Sequence, residues 1–322
     1  MGRGNTSVTN ISTLVVGCTP LARKVTALLE EISNLVGVVN LHPEKGLSKS
    51  NYDYMADFVS KRPDDVFWTK DINDEETINW MLDRQPDIVV QCGWSQIFKP
   101  QVLEIPTKYC IGIHPSPLPV GRGAAVINWK LIQSMGQEVN WGNSLFVMEP
   151  KTDTGAVLDF EPFTLEPRDD IRTAYLKVDK TALTMLSRTL LKIENDTLEP
   201  TPQDKTKTSR FYKRKPKDGE LDLSWPAVNI TDYVRALTHP YPGAFFKLKN
   251  CDLFVWRVSK GLSWVSEPGT ILMIEKGKGI RVKVGYNDSI WLERISVNGV
   301  EQWADDWAAD IDLKEGDNLR YV

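Results

Sequence analysis

The sequence predicts an α/β protein: a mostly parallel sheet with helices on both faces, followed by a smaller C-terminal β-barrel. Three observations carry that prediction. Short β-branched runs alternate with longer amphipathic stretches through residue 134, and those runs are apolar throughout rather than at every second position. Beyond residue 217 the rhythm changes to short strands divided by Gly, Asn and Asp.

In chain order, residues 12–16 read as a strand, 21–31 as a helix and 35–39 as a second strand, which together make a βαβ unit. A helix over 74–84, buried strands over 87–92 and 109–113, and a helix over 124–134 continue the pattern. Residues 143–148 and 156–160 read as strands joined by a turn, and 171–193 as a long amphipathic helix that ends before Asn195. The stretch 201–217 is rich in Thr, Pro and Lys without apolar periodicity, and reads as a linker. One helix over 228–237 and five strands over 244–248, 253–258, 269–274, 279–284 and 289–297 then suggest a small barrel. The domain boundary is expected between 203 and 204, with 1–203 as the catalytic domain and 204–322 as linker plus barrel.

Composition narrows the function classes. The chain has 322 residues, 41% of them hydrophobic, with 39 Lys and Arg against 43 Asp and Glu for a formal net charge of −4. That length suits about two domains, and the acidic balance argues against a non-specific nucleic-acid or membrane binder. Residues 1–204 carry 20 basic against 27 acidic side chains, while 205–322 carry 19 against 16. The basic cluster from Lys205 to Lys217 fits a solvated connector. No run approaches the ~18 apolar residues that span a bilayer, and the polar first ten residues hold no secretion signal. Cys18, Cys92, Cys110 and Cys251 lie far apart with no C-x-x-C pair, so reduced thiols and a cytoplasmic protein are expected. With only His42, His114 and His239 present, a histidine-rich centre is not expected and no metal is assigned.

The first βα turn, Val15-Val-Gly17-Cys-Thr19-Pro20, lacks G-x-G-x-x-G, because Thr19 stands where a second glycine would admit a pyrophosphate. A nicotinamide or flavin dinucleotide is disfavoured. Walker-A, G-x-S-x-G and H-E-x-x-H sequences are absent. The most unusual local sequence is His114-Pro-Ser116-Pro-Leu118-Pro119-Val-Gly121-Arg122-Gly123, at the end of an expected strand. Its three prolines in five residues hold the chain extended, and the glycines then release it. Open parallel sheets bind ligands outside the carboxyl ends of their strands, where this order puts His114. A single histidine is more often structural, but a strand end set against a rigid turn favours chemistry here.

The segment has the form H-x-S-x-L-P-x-x-x-G, filled by His114, Ser116, Leu118, Pro119 and Gly123, and resembles the signature of enzymes that use 10-formyltetrahydrofolate to formylate an amine. Some thirty residues later, the stretch from Leu145 to Leu158 with Asp153-Thr-Gly155 looks like the second motif of that family. The segments 212–222 and 235–245, the latter with His239-Pro-Tyr241-Pro-Gly243, look like the junction and start of the C-terminal domain in methionyl-tRNA formyltransferase and the related sugar formyltransferases. The similarity runs from residue 10 to about 260.

The resemblance implies the formyltransferase fold, with a Rossmann-like first domain and an OB-like second. Formyl transfer requires a base for the proton of the attacking amine and a donor for the tetrahedral oxyanion. Histidine, with an ordinary pKa near ~6.5, suits the first task, and the resemblance makes His114 the base with Asp153 as its carboxylate partner. The family carries asparagine two residues before the histidine, where this chain has Gly112. Three accounts are open: a backbone N–H, an ordered water or protonated His114 stabilises the oxyanion; Asn128 or Asn143 supplies the amide; or activity is lost. Removing one oxyanion donor lowers a rate by ~10²–10³ rather than abolishing it, which favours the first account. By resemblance the folate lies beside Gly93, Trp94, Ser95, Gln96 and Ile97, under a loop holding Glu149 and Thr152. Trp94, Ile97 and Phe98 would serve equally as core. Ser116 and Arg122 are the expected contacts to the acceptor.

The expected reaction is transfer of a formyl group from 10-formyltetrahydrofolate to the amine of a nucleotide-linked amino sugar in surface-polysaccharide synthesis. The loop after the second strand looks more like the amino-sugar members, and the acidic catalytic domain is a poor match to a tRNA acceptor stem, which makes methionyl-tRNA the runner-up. A siderophore hydroxyornithine is a third acceptor, and a folate-binding protein without turnover is the rival from outside catalysis. A carbohydrate-binding face built on Trp291, Trp303 and Trp307 is a weaker rival, because these side chains are expected to be packing. The assembly is left open, with a homodimer allowed.

Overall fold

The structure, a computed structural model, describes residues 9–322. The polar N-terminal stretch read above for secretion signals therefore falls, over residues 1–8, outside the described residues. The chain forms two compact units. One holds the chain up to Val126, Asn140–Thr164 and Leu176–Phe211; the other holds Ile127–Val139, Leu165–Tyr175 and Tyr212–Val322.

In the first unit the strands are β1 (Ser12–Gly17), β2 (Asn34–Leu41), β3 (Val66–Thr69), β4 (Ile88–Cys92), β5 (Tyr109–His114), the two-residue β6 (Arg122–Gly123), β7 (Val139–Val147), β8 (Val157–Leu165) and β9 (Arg210–Phe211). Seven of them make one sheet in the order β3-β2-β1-β4-β5-β7-β8. The pairs from β3 to β5 are parallel, and β7 runs antiparallel to β5. Because side chains alternate along a strand, each apolar run feeds two cores. Val15, Val38, Val90 and Ile111 pack with Val25, Leu29, Leu186 and Leu190 on one face. Leu14, Val16, Val39 and Val89 pack with Ile72, Met81 and Val102 on the other. This two-sided burial is the reason the runs lack polar residues.

The helix Pro20–Ile32 starts on Thr19, whose hydroxyl accepts the Ala22 amide at 3.4 Å. A Cβ on Gly93, whose φ is +69°, would lie 2.3 Å from that same hydroxyl. Thr19 thus fills the turn that a dinucleotide phosphate would need, as the missing glycine implied. Strand order reverses around β1, so the crevice for a ligand opens between the ends of β1 and β4, at Gly93 to Phe98. Strand β3 was not expected, since Val66–Thr69 is four residues long and carries no alternation.

The second unit holds β10 (Glu220–Leu221), β11 (Ala244–Lys247), β12 (Asp252–Lys260), β13 (Ile271–Glu275), β14 (Gly279–Lys283), β15 (Ser289–Val297) and β16 (Val300–Trp303), with helices Ala227–Leu237 and Ala304–Asp310. The sheet order is β10-β11-β12-β15-β14-β13, with β16 added beside β15. The expected smaller β domain is therefore present as a second sheet. Its hydrogen-bonded path runs from β10 to β13. Trp291 and Trp307 are buried in this unit, which removes two faces of a carbohydrate-binding surface.

A single cut at 203/204 does not separate the two units, because 127–139 and 165–175 group with the C-terminal unit. Polar anchors explain this. The Asn128 amide donates to the Ala236 carbonyl at 2.8 Å, the buried Asp232 carboxylate accepts the Gly136 amide at 2.9 Å, and Arg235 Nη1 donates to the Asp169 carbonyl at 2.7 Å. Among the described residues no helix is long and apolar enough to cross a membrane.

Candidate active site

Strand β5 delivers His114 at its last position, opposite Ser144 of β7. The prolines that follow turn the chain back on itself. Ser116 N–H donates to the His114 carbonyl at 2.8 Å, and Val120 N–H to Pro117 at 3.0 Å. The Trp141 indole donates to the Pro115 carbonyl at 2.8 Å and pins the turn from β7. Gly121, at φ +74°, then presents its carbonyl to His114 Nε2 at 2.8 Å. A carbonyl can only accept, so Nε2 carries the hydrogen and the basic lone pair is on Nδ1.

That lone pair faces Asp153. Nδ1 lies 3.7 Å from Asp153 Oδ1, and both side chains are about nine-tenths buried. The separation is too long for a direct hydrogen bond, and it suits an ion pair once the ring is protonated. The other carboxylate oxygen accepts the Gly123 amide at 2.8 Å, which fixes the carboxylate's orientation. Asp153 itself sits at φ +59°, and a Cβ on nearby Gly155 would lie 1.8 Å from the Val147 carbonyl, so the tight D-T-G turn needs that glycine.

Gly112 faces Phe146 across the ladder. A Cβ at 112 would lie 2.5 Å from the Phe146 ring and 3.2 Å from Met148 Cγ, so Phe146 fills the volume of an asparagine side chain at this position. The ring is 5% exposed and packs edge-on to His114 at 6.4 Å between centroids. Neither Asn128 nor Asn143 compensates. The first has its amide on Ala236, and the second, fully buried, donates to the Val178 carbonyl at 3.1 Å and to Thr181. The account in which one of these amides moves in is thereby removed.

The residues expected around the folate lie at the end of β4, with mixed exposure. Trp94 and Phe98 are core, whereas Ile97 is 67% exposed. Gln96 holds the neighbouring loop: its oxygen accepts the Ile72 amide and the Trp94 indole, and its nitrogen donates to Lys70. Gly93 and Ser95 are exposed, and the Ser95 hydroxyl accepts from Lys49 at 2.6 Å. Glu149 and Thr152 are exposed on the loop before Asp153, where Thr154 donates to Glu149 at 3.3 Å. Ser116 is fully buried, and its hydroxyl has no hydrogen-bond partner among the described residues. Arg122 is buried as well, with Nε and Nη2 both donating to Gln203 Oε1, which makes it a strut of the loop rather than an open acceptor contact.

Gln203 is the residue the sequence reading missed. Its amide nitrogen donates to the carbonyls of Asp153 at 3.0 Å and Gly155 at 2.7 Å, while its oxygen holds Arg122. Ser209 accepts the Gly121 amide at 2.9 Å, and β9 pairs with β6. The first part of the expected linker is therefore scaffold for the His114 loop. No sequence signal marks it, because single polar side chains reaching across a turn leave no periodicity.

Residues 12–190 match the family model described as formyl transferase, and 213–309 match the formyl transferase C-terminal domain. The chain belongs to the formyl transferase family. It is 32% identical over 207 residues to the bifunctional polymyxin resistance protein ArnA of Wigglesworthia glossinidia brevipalpis, an alignment that covers 64% of this chain and 31% of that protein. This chain thus spans about a third of that relative's length. HypX from Aquifex aeolicus in complex with tetrahydrofolic acid superposes with a TM-score of 0.64 at 14% identity, over 94% of this chain and 47% of that one. The N-formyltransferase from Helicobacter canadensis in complex with folinic acid and dTDP-3-aminofucose gives 0.62 at 13% identity, over 88% and 98%. Methionyl-tRNA formyltransferase from Clostridium thermocellum gives 0.54 at 17%, over 85% and 100%. At these identities the structures establish a shared fold.

Proposed function

We propose that this formyl transferase moves the formyl group of 10-formyltetrahydrofolate to the amine of a nucleotide-linked amino sugar. The observation that carries the reading is the buried His114–Asp153 pair, with its Nδ1 lone pair set and its carboxylate oriented by Gly123. The folate supplies an activated one-carbon unit when bound beside Gly93–Ile97. His114 Nδ1 takes the ammonium proton as the amine attacks, and Asp153 stabilises the resulting imidazolium. With Phe146 in the asparagine's place, the oxyanion is left to that imidazolium, to a backbone N–H or to an ordered water. As the tetrahedral centre collapses, the C–N bond to folate N10 breaks and the proton passes to N10.

The sugar acceptor is supported by N-formyltransferases that share the fold, one named as a sugar N-formyltransferase and another seen with dTDP-3-aminofucose. Methionyl-tRNA remains the second acceptor to test, since the fold also includes that enzyme. The reading without turnover, a folate-binding protein, has one observation in its favour, the Gly112–Phe146 exchange. The test is release of tetrahydrofolate from 10-formyltetrahydrofolate with a panel of nucleotide-linked amino sugars, alongside methionyl-tRNA. Turnover on a sugar that falls at least ~10²-fold in both His114→Ala and Asp153→Asn supports the assignment. Turnover on tRNA alone transfers it to the runner-up, and folate binding without turnover on any amine establishes the loss.

A further inference from the structure

The second unit, taken by itself, contains a cleft of about 600 Å³. Its walls come from 167–172, the helix Ala227–Leu237, β12, β15 and β16, all within that unit. Arg168, Arg172, Arg235, Arg257, Lys260 and Arg294 line it, against the carboxylates of Asp170, Asp232 and Glu301. Two of these groups are internal structure: Arg235 and Asp232 are buried against each other at 2.8 Å. Arg172 pairs with Asp170 at 2.6 Å and Arg294 with Glu301 at 3.1 Å, which leaves Arg168, Arg257 and Lys260 as the cations turned to open space. Arg168 and Arg257 are 86% and 61% exposed, and each is tied to a carboxylate through Nε, to Glu166 and Glu293 respectively. Such a tie orients a guanidinium and leaves its terminal N–H groups for a further acceptor. Lys260 makes no ion pair among the described residues.

An aromatic column ends in the same cleft. Phe245 and Phe254 lie 5.2 Å apart between ring centroids, Phe254 and Trp256 are 6.2 Å apart at 15°, and His239 covers Trp256 at 3.9 Å and 11°. His239 is half-exposed, held in its plane by Nε2 against Glu301 at 3.1 Å, and Trp256 is its ring neighbour among the described residues. The column therefore stops at a flat, oriented, accessible ring beside a set of forked cations. A planar heterocycle on that ring and phosphate oxygens on the guanidinium groups satisfy both features at once.

We infer that this cleft binds a nucleoside diphosphate, with its base continuing the column on His239 and its phosphates on Arg168, Arg257 and Lys260. The inference goes beyond the catalytic reading, because no residue of the His114 unit lines the cleft.

Calorimetric titration of the full chain with UDP, dTDP and inorganic pyrophosphate tests it, with circular dichroism confirming that each variant is folded. Lys260→Ala combined with Arg168→Ala is expected to weaken all three by at least tenfold. His239→Ala is expected to weaken the nucleotides by several-fold and leave pyrophosphate unchanged. Nucleotide affinity retained in full by the double variant assigns that binding to the catalytic unit and overturns the inference. So does pyrophosphate binding with no nucleotide effect of His239→Ala, or binding of a short RNA duplex that the double variant loses while UDP gives no saturable heat.

Discussion

Gly112 and Phe146 compete for one volume, and that pairing governs any attempt to restore the family's asparagine. Gly112→Asn alone is expected to raise no turnover and to destabilise the chain by about 1–3 kcal/mol through overpacking, read as a lowered urea midpoint. Adding Phe146→Ala makes room, and the double variant is expected to recover that stability and to lose the edge-on contact with His114. The buried thiols give a second residue-scale expectation. Burial pushes Cys18 up to about 11, with Lys49 pulling weakly the other way, and pushes Cys110 up to about 12. Both stay protonated at pH 8, so iodoacetamide is expected to label the partly exposed Cys251 first and the other three after denaturation. The sign for stability follows: the Cys18 contribution is complete below the usual value of 9 and is lost as pH rises towards about 11. His114 was legible at this scale because its motif is contiguous. The Gly112–Phe146 exchange was not, because it depends on the β5–β7 register.

Elements were legible where the chain repeats and opaque where it does not. The helices Pro20–Ile32 and Ile171–Glu194 and the core strands were expected within a few residues of their observed bounds, since their apolar spacing is long enough to carry a period. Strand β16 and the helix Ala304–Asp310 were missed, at four and seven residues, because neither completes one. The stretch around Gln203 was misread as linker for a related reason: its order comes from single hydrogen bonds to the site loop rather than from a buried face. The helix Ala227–Leu237 shows how strongly one polar group can hold an element. The Asp232 side chain, 2% exposed, accepts from Arg235, Ser134 and Gly136. Asp232→Ala leaves the Arg235 guanidinium without its carboxylate, and is expected to lower unfolding free energy by about 3–5 kcal/mol in urea titration.

At the scale of the whole molecule, the mostly parallel sheet and the smaller second β domain followed from the alternation of strands and helices, while the strand order and the interleaving did not. No composition shift marks 127–139 or 165–175 as belonging with the C-terminal unit, since their anchors to the helix Ala227–Leu237 run through Asn128, Arg235 and Asp232. A chain ending at residue 203 is expected to be largely insoluble or to lack near-ultraviolet circular dichroism, because those segments lose their packing. A native spectrum from that fragment would refute it. The same arrangement bears on how the protein is made. Ile127, Leu131, Ile171 and Ala174, almost wholly buried in the finished chain and grouped with the second unit, leave the ribosome long before most of that unit is made. At ordinary translation rates the delay is about ten seconds or more, and throughout it the nascent chain carries an uncovered apolar face that chaperones have reason to hold.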